Sequence, residues 1–212
     1  METLISVMLV DDHAVVRSGL RRLLEQHDNI NVIAEAESGE QAYQLFGKFM
    51  PDVLVMDISM PGMGGLEALR RILSRYHHAK IVIFSMHENA TFAAQALNSG
   101  AMGYVAKSSE AQDLVQAVNN ATQGKSYLST TLAQKVALQN SYDDNPVQKL
   151  TAREFEIFRL LAEGKVTEGI STTLNISPKT VANYQTILKQ KLGITSPVEL
   201  VRLAIKQGLI ES

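Results

Sequence analysis

The sequence predicts an α/β domain built on a doubly wound parallel sheet, followed by a small all-α domain. Three observations predict it. Five short apolar runs rich in β-branched residues alternate with amphipathic stretches of helical period over roughly the first 125 residues. The strand pattern then stops. The last stretch of the chain holds only short helical patterns, separated by Gly and Pro.

The elements follow in order. Strands are expected at residues 7–10, 31–34, 53–56, 81–84 and 102–106, and helices at 15–25, 40–49, 66–76, 90–98 and 110–123. Ser38 with Gln41 and Ser109 with Gln112 have capping-box spacing, in which a hydroxyl accepts a free backbone amide. Five strand–helix units imply a parallel sheet covered on both faces, whose ligands sit at the carboxyl ends of the strands. From Tyr127 to about residue 140 the pattern is again helical, and Asp143-Asp144-Asn145-Pro146 breaks it. Beyond that, Thr151 with Glu154 and Ser196 with Glu199 are further capping boxes. Pro178 and Pro197 sit at first helical positions, and Gly164, Gly193 and Gly208 stop helices. The expected division is residues 1–126, a helical tail and linker at 127–147, and a helical domain at 148–212.

Composition narrows the chemistry. The chain has 212 residues, 45% of them hydrophobic and 20% charged, which suits one large or two small packed domains. With no cysteine, disulfides, thiolate metal sites and a cysteine nucleophile are excluded. The apolar runs are too short to span a bilayer and no secretory leader pattern opens the chain, so a cytoplasmic protein with no membrane partner is expected. The net charge of −2 conceals an asymmetry. Residues 1–144 carry 11 basic and 16 acidic side chains, and residues 145–212 carry 9 and 6, so the parts are −5 and +3. An acidic part joined to a basic one suits two different partners, one cationic and one polyanionic.

Asp11 and Asp12 follow the first strand and Asp57 ends the third, which is its neighbour in a doubly wound sheet. Three convergent carboxylates either raise a pKa or bind a cation, and an all-oxygen set favours a hard ion, Mg²⁺ above all. Ser85 ends the fourth strand and Lys107 the fifth, where an ammonium can pair with a phosphoryl oxygen. Together they describe a phosphoryl site with Asp57 as carboxylate nucleophile. A Mg²⁺-dependent phosphohydrolase would use the same groups. Such enzymes usually set nucleophile and acid two residues apart on the first strand, and they need a substrate cap.

Val10-Asp11-Asp12-His13, Asp52 to Gly62, Phe84-Ser85 and Gly103-Tyr104-Val105-Ala106-Lys107 resemble the receiver domain of two-component response regulators, a flavodoxin-like fold with a five-stranded sheet. The resemblance covers residue 5 to about 125. It implies that Asp57 is the phosphoacceptor, and that Asp11, Asp12, Asp57 and the backbone carbonyl of Ser59 hold Mg²⁺. It further implies that Lys107 holds the phosphoryl group and that Ser85 and Tyr104 form a switch pair, the ring turning inward as Ser85 moves. The phosphoryl donor would be a sensor histidine kinase, and the chain would not be an enzyme acting on a separate substrate.

In the second domain, residues 178–191 form a helix with Val181, Tyr184, Leu188 and Leu192 on one arc. Lys179, Ala182, Asn183, Thr186 and Gln190 lie opposite, a small, polar face without acids that suits a major groove. Residues 166–174 make the preceding helix of a helix-turn-helix. Leu150 to Glu154, Leu161 to Lys165, Ile176 to Val181 and Lys191 to Ile194 resemble the LuxR-type domain. With the receiver, the whole is similar to the NarL/FixJ group, and to its GacA/UvrY branch. The resemblance implies a transcription factor contacting double-stranded promoter DNA through Lys179, Thr180, Asn183, Thr186, Lys189 and Gln190. Relatives often carry more basic residues near 182–186, and Gly169 stands where they have a helix former. A charge of only +3 favours a homodimer, formed on phosphorylation, as the binding species. A protein-interaction module is the competing class, and failure to retard any DNA fragment would favour it.

Overall fold

The parallel pairing follows from strands buried on both faces. In the computed structural model, which describes residues 4–140 and 145–210, the apolar runs form β1 (Ile5–Val10), β2 (Ile30–Ala36), β3 (Val53–Met56), β4 (Ile81–Ser85) and β5 (Gly103–Ala106). With a sixth strand, β6 (Tyr127–Leu128), all pairs are parallel, in the order β2-β1-β3-β4-β5-β6. Between strands run α1 (Ala14–Leu24), α2 (Gly39–Phe49), α3 (Gly65–Arg75), α4 (Ala90–Asn98) and α5 (Ala111–Thr122). Val7, Leu9, Val53, Val55, Val82 and Val105 meet Leu20, Leu24, Leu114 and Val118 in a core on one face of the sheet. Ser38 caps α2 by accepting the Gln41 amide at 3.2 Å.

Two local expectations fail here. Ser109 does not cap α5: its amide closes a turn onto Ala106, and the helix starts after Glu110 without a side-chain cap. Tyr127–Leu128 is not helical but a sixth strand, β6, paired with Gly103 and Tyr104 of β5. The Tyr127 hydroxyl donates to Asp113 Oδ1 at 2.5 Å, and burial together with that bond pushes its pKa up to about 12. A Cβ at Gly103 would stand 3.3 Å from the Tyr127 carbonyl oxygen, so the glycine gives β6 room. The helical pattern resumes as α6 (Thr130–Asn140). Of the expected breaker, Asp143 and Asp144 lie outside the described residues.

The chain divides into two compact units, Met1–Glu88 with Ala96–Thr130, and Asn89–Gln95 with Thr131–Ser212. In the second, a 3-10 turn (Pro146–Lys149) precedes α7 (Ala152–Ala162), α8 (Thr167–Leu174), α9 (Pro178–Leu192) and α10 (Pro197–Lys206). Both capping boxes form, at Thr151 with Glu154 and Ser196 with Glu199. Gly164, Gly193 and Gly208 have φ of +80°, +66° and +66°, which terminates helices at little steric cost. Among the described residues no helix is long and apolar enough to cross a membrane.

Candidate functional site

Strand ends of the first unit bring the expected groups together. Asp57 follows β3, its amide donating to the Val10 carbonyl at 2.9 Å, so β1 fixes where it sits. It is 4% exposed, Asp11 is 1% exposed and Ser85 is fully buried. Lys107 Nζ donates to Asp11 Oδ2 at 2.5 Å and to Asp57 Oδ2 at 2.8 Å. Burial alone would push its ammonium pKa down, but these two bonds outweigh that and raise it. The Lys107 amide donates to the Ser85 carbonyl at 2.7 Å, tying the ends of β4 and β5. The Ser59 amide donates to Asp57 Oδ1 at 3.2 Å. At the first residue of α3, a Cβ on Gly65 would come within 2.0 Å of the Asp57 carbonyl oxygen, so the loop after β3 packs against bare backbone there.

Of the residues expected to hold a metal, Asp11 and Asp12 group with His13, and Asp57 lies beside them. Asp11, Asp12 and His13 offer ligand atoms all within 4.8 Å of one another, and Asp57 joins them through the Lys107 ammonium. His13 Nδ1 lies 3.2 Å from Asp11 Oδ1 and 3.0 Å from Asp12 Oδ1. Arg17 Nη1 donates to the Asp11 carbonyl at 2.6 Å. Neither His13 nor Arg17 was assigned a role from sequence. His13 adjoins the acid pair, which is a usable signal, whereas Arg17 reaches back across one turn of α1 and gives none.

The Tyr104 ring is fully buried, and its hydroxyl donates to the His87 carbonyl at 2.6 Å. Burial pushes the phenol's pKa up.

In the second unit, α9 begins at Ser177, whose hydroxyl accepts the Thr180 amide at 3.1 Å with Pro178 behind it. Val181, Leu188 and Leu192 are buried, and Tyr184 is half-buried. Lys179, Ala182, Asn183, Thr186, Lys189 and Gln190 are all exposed on the outward side. Thr180 differs from them. It is half-buried and its hydroxyl lies 2.8 Å from Ser177 Oγ, committed to the helix cap. The Thr186 hydroxyl bonds back to the Ala182 carbonyl at 3.2 Å. Lys191 turns inward to Glu154 at 2.8 Å. The outward face thus presents two ammonium groups, an amide at Asn183 and another at Gln190.

Residues 7–119 match the response regulator receiver domain family, and residues 148–204 match the luxR family of bacterial regulatory proteins. Response regulator GacA of Pseudomonas aeruginosa is 37% identical over 212 residues, covering 99% of both chains. Response regulator UvrY of Escherichia coli is 39% identical over 209 residues, covering 97% of this chain and 96% of that one. Among solved structures, RcsB of Salmonella enterica serovar Typhimurium, bound to the rprA promoter with the phosphomimetic BeF3⁻, has a TM-score of 0.72 at 28% identity. It covers 95% of this chain and 98% of its own.

Proposed function

Because the chain belongs to the response regulators that join a receiver domain to a LuxR-type DNA-binding domain, of the NarL/FixJ family, we propose that Asp57 accepts a phosphoryl group and thereby controls DNA binding through α9. The observation that carries this reading is the buried Lys107 ammonium held between Asp11 and Asp57. A phosphoryl group on Asp57 adds charge and acceptor oxygens beside that ammonium. In the transfer, an Asp57 carboxylate oxygen bonds to phosphorus as the donor's bond to phosphorus breaks. The donor is a sensor histidine kinase.

The donor set fits Mg²⁺. Asp11, Asp12, Asp57 and the Ser59 carbonyl are hard oxygen ligands, and Asp12 Oδ1 is buried without a hydrogen bond, His13 Nδ1 being only an ion-pair neighbour. When bound there, Mg²⁺ supplies positive charge that neutralises phosphoryl oxygens. Ser85 accepts a hydrogen bond from the His87 amide at 3.3 Å and hydrogen-bonds the Tyr104 side chain, a bond its proton would exchange for one to a phosphoryl oxygen. Ser85 and Tyr104 form the switch pair, and with the ring inside Tyr104 meets the loop after β4 at the His87 carbonyl.

Lys179, Asn183, Thr186, Lys189 and Gln190 form the DNA-facing set, with Thr180 holding the helix start. Two phosphate-directed lysines per α9 are few for tight binding, which supports a homodimer on an inverted repeat of promoter DNA in the cytoplasm. Incubation with labelled acetyl phosphate and Mg²⁺ tests the acceptor: the label should be absent from Asp57→Asn, and normal labelling of that variant refutes it. Retardation of promoter fragments should strengthen on phosphorylation of the wild type and not of Asp57→Asn.

A further inference from the structure

The helices α2 and α3 pack together, and their last turns form one aromatic and basic cluster. The Phe46 and Tyr76 ring centroids are 5.1 Å apart, and the Tyr76 hydroxyl lies over Gly47, where a Cβ would come within 2.1 Å of it. The Arg75 guanidinium stands 5.4 Å from the Tyr76 ring centroid and 5.9 Å from that of Tyr43, whose hydroxyl accepts Nη1 at 3.4 Å. Lys48 lies 5.2 Å from the Phe49 ring centroid. Arg70 and Arg71 share the buried Glu67. All four of these cations are exposed, and the only acids in the two helices are Glu67 and the half-buried Glu40. Residues 41–80 carry 5 basic and 3 acidic side chains, whereas the rest of residues 1–144 carries 6 and 13. Of those three acids Asp57 and Glu67 are buried, and Asp52 accepts the Ser6 amide at 2.8 Å and the Ser6 hydroxyl at 2.6 Å. The acidic first unit thus has one basic face. A helix dipole favours a cation in the last turn, but it calls for neither stacked rings nor a lack of exposed carboxylates.

We propose that this face is a second phosphate-contacting surface, which grips the backbone of DNA flanking the bases that α9 reads. The inference rests on DNA binding through α9. Each phosphate neutralised adds affinity by releasing counterions, and α9 turns only two ammonium groups outward. Rings beneath Arg75 and Lys48 hold each charge in place, so less freedom is lost when a phosphate binds. Such contacts fix position and read no base. Because the face belongs to the same chain, its contact becomes intramolecular once α9 is seated. An acidic protein segment would offer carboxylates to the same cations. Duplex DNA is favoured because it is already a partner in this reading and α9 alone makes few phosphate contacts.

The test titrates the full-length chain with a promoter duplex at several salt concentrations, once trimmed to the inverted repeat and once with several helical turns of flanking DNA. Lys48→Gln/Arg75→Gln leaves both partners of Glu67 in place, and a wild-type thermal transition verifies its fold. On the flanked duplex it should lower the slope of log affinity against log salt by about 2 per bound chain and weaken binding roughly tenfold or more. On the trimmed duplex it should match the wild type. Lys48→Gln alone should give about half the change in slope. Lys48→Arg/Arg75→Lys should keep the wild-type slope, and so should Arg22→Gln/Lys125→Gln, which removes two exposed charges elsewhere on the unit. An unchanged slope in Lys48→Gln and in the double variant overturns the proposal, as does an equal fall on both duplexes or in Arg22→Gln/Lys125→Gln. Poly-glutamate binding that the double variant loses, with DNA slopes unchanged, also overturns it and assigns the face to an acidic protein. In each of these cases a lower slope in Lys189→Gln leaves the α9 reading standing. Failure of the wild type to retard any duplex overturns both.

Discussion

Replacing Lys107 with Met keeps the bulk of the side chain and removes the charge between Asp11 and Asp57. The Lys107 side chain is 9% exposed and its partners 2% and 4%, so solvent does little to screen the two carboxylates once the ammonium is gone. Removing one partner from a buried ion pair costs about 3–5 kcal/mol, because the remaining charge stays buried and uncompensated. The first unit comprises about 120 residues. At roughly 2 cal/mol/K of unfolding entropy per residue, each kcal/mol moves the midpoint of such a unit by about 4 °C, so the expected fall in Tm is about 12–20 °C. Calorimetry of the full chain in a chelator measures it. Millimolar Mg²⁺ should then recover a larger share of stability in Lys107→Met than in the wild type, since ion binding stabilises by an amount that grows with the logarithm of its affinity for the freed carboxylates. A fall in Tm below about 4 °C, equivalent to about 1 kcal/mol, or an equal response of both proteins to Mg²⁺, would refute the claim that Lys107 neutralises this pair.

Other outcomes are equally concrete. Gly169 lies inside α8 at negative φ with nothing within 4 Å of a Cβ, so Gly169→Ala should stabilise the second unit by about 0.5–1 kcal/mol in chemical unfolding. A Cβ at Gly65 meets the backbone of Asp57 and Ile58, so Gly65→Ala should cost about 1–3 kcal/mol or more and reduce labelling of Asp57. Burial pushes the Glu154 carboxyl up, but hydrogen bonds from Lys191 and Thr151 outweigh it and hold its pKa below the usual value of 4.5. A depressed carboxylate contributes stability above its unfolded pKa and loses it as pH falls through the folded value. Thermal stability should therefore drop more steeply below about pH 4.5 in the wild type than in Glu154→Gln. If Lys189 touches a phosphate, Lys189→Gln should lower the slope of log affinity against log salt by about 1 per bound α9, with sequence preference unchanged.

What could be read from sequence was what local pattern dictates. The β-branched runs at residues 53–56 and 81–84 need burial on both faces, which only a covered parallel sheet gives, and that placement carries Asp57 and Ser85 to one side of it. The boxes at Thr151 and Ser196 formed because each is closed within four residues. Several of the misses depend on partners far along the chain, and two on a neighbour three residues away. A two-residue strand at Tyr127 has no periodicity to display, and it exists because Gly103 leaves it room and Asp113 takes its hydroxyl. Ser109 has the spacing of a cap, but its amide is already spent on Ala106. The link from His87 to Ser59 spans 28 positions, and that from Lys107 to Asp11 spans 96, so neither leaves a mark in any short window. Thr180 looked like its neighbours on α9, and only the Ser177 hydroxyl distinguishes it.

The sixth strand bears on how this protein can be divided. A terminal strand in a sheet carries a row of unsatisfied amides and carbonyls, which readily recruit a strand from another molecule. Here Tyr127 and Leu128 occupy that position against Gly103 and Tyr104. A receiver fragment ending at residue 126 would stop just short of them and bare the side of β5. Such a fragment should self-associate in proportion to concentration, whereas one extended through Ser129 should not, and oligomers seen only in the shorter piece would be products of the cut.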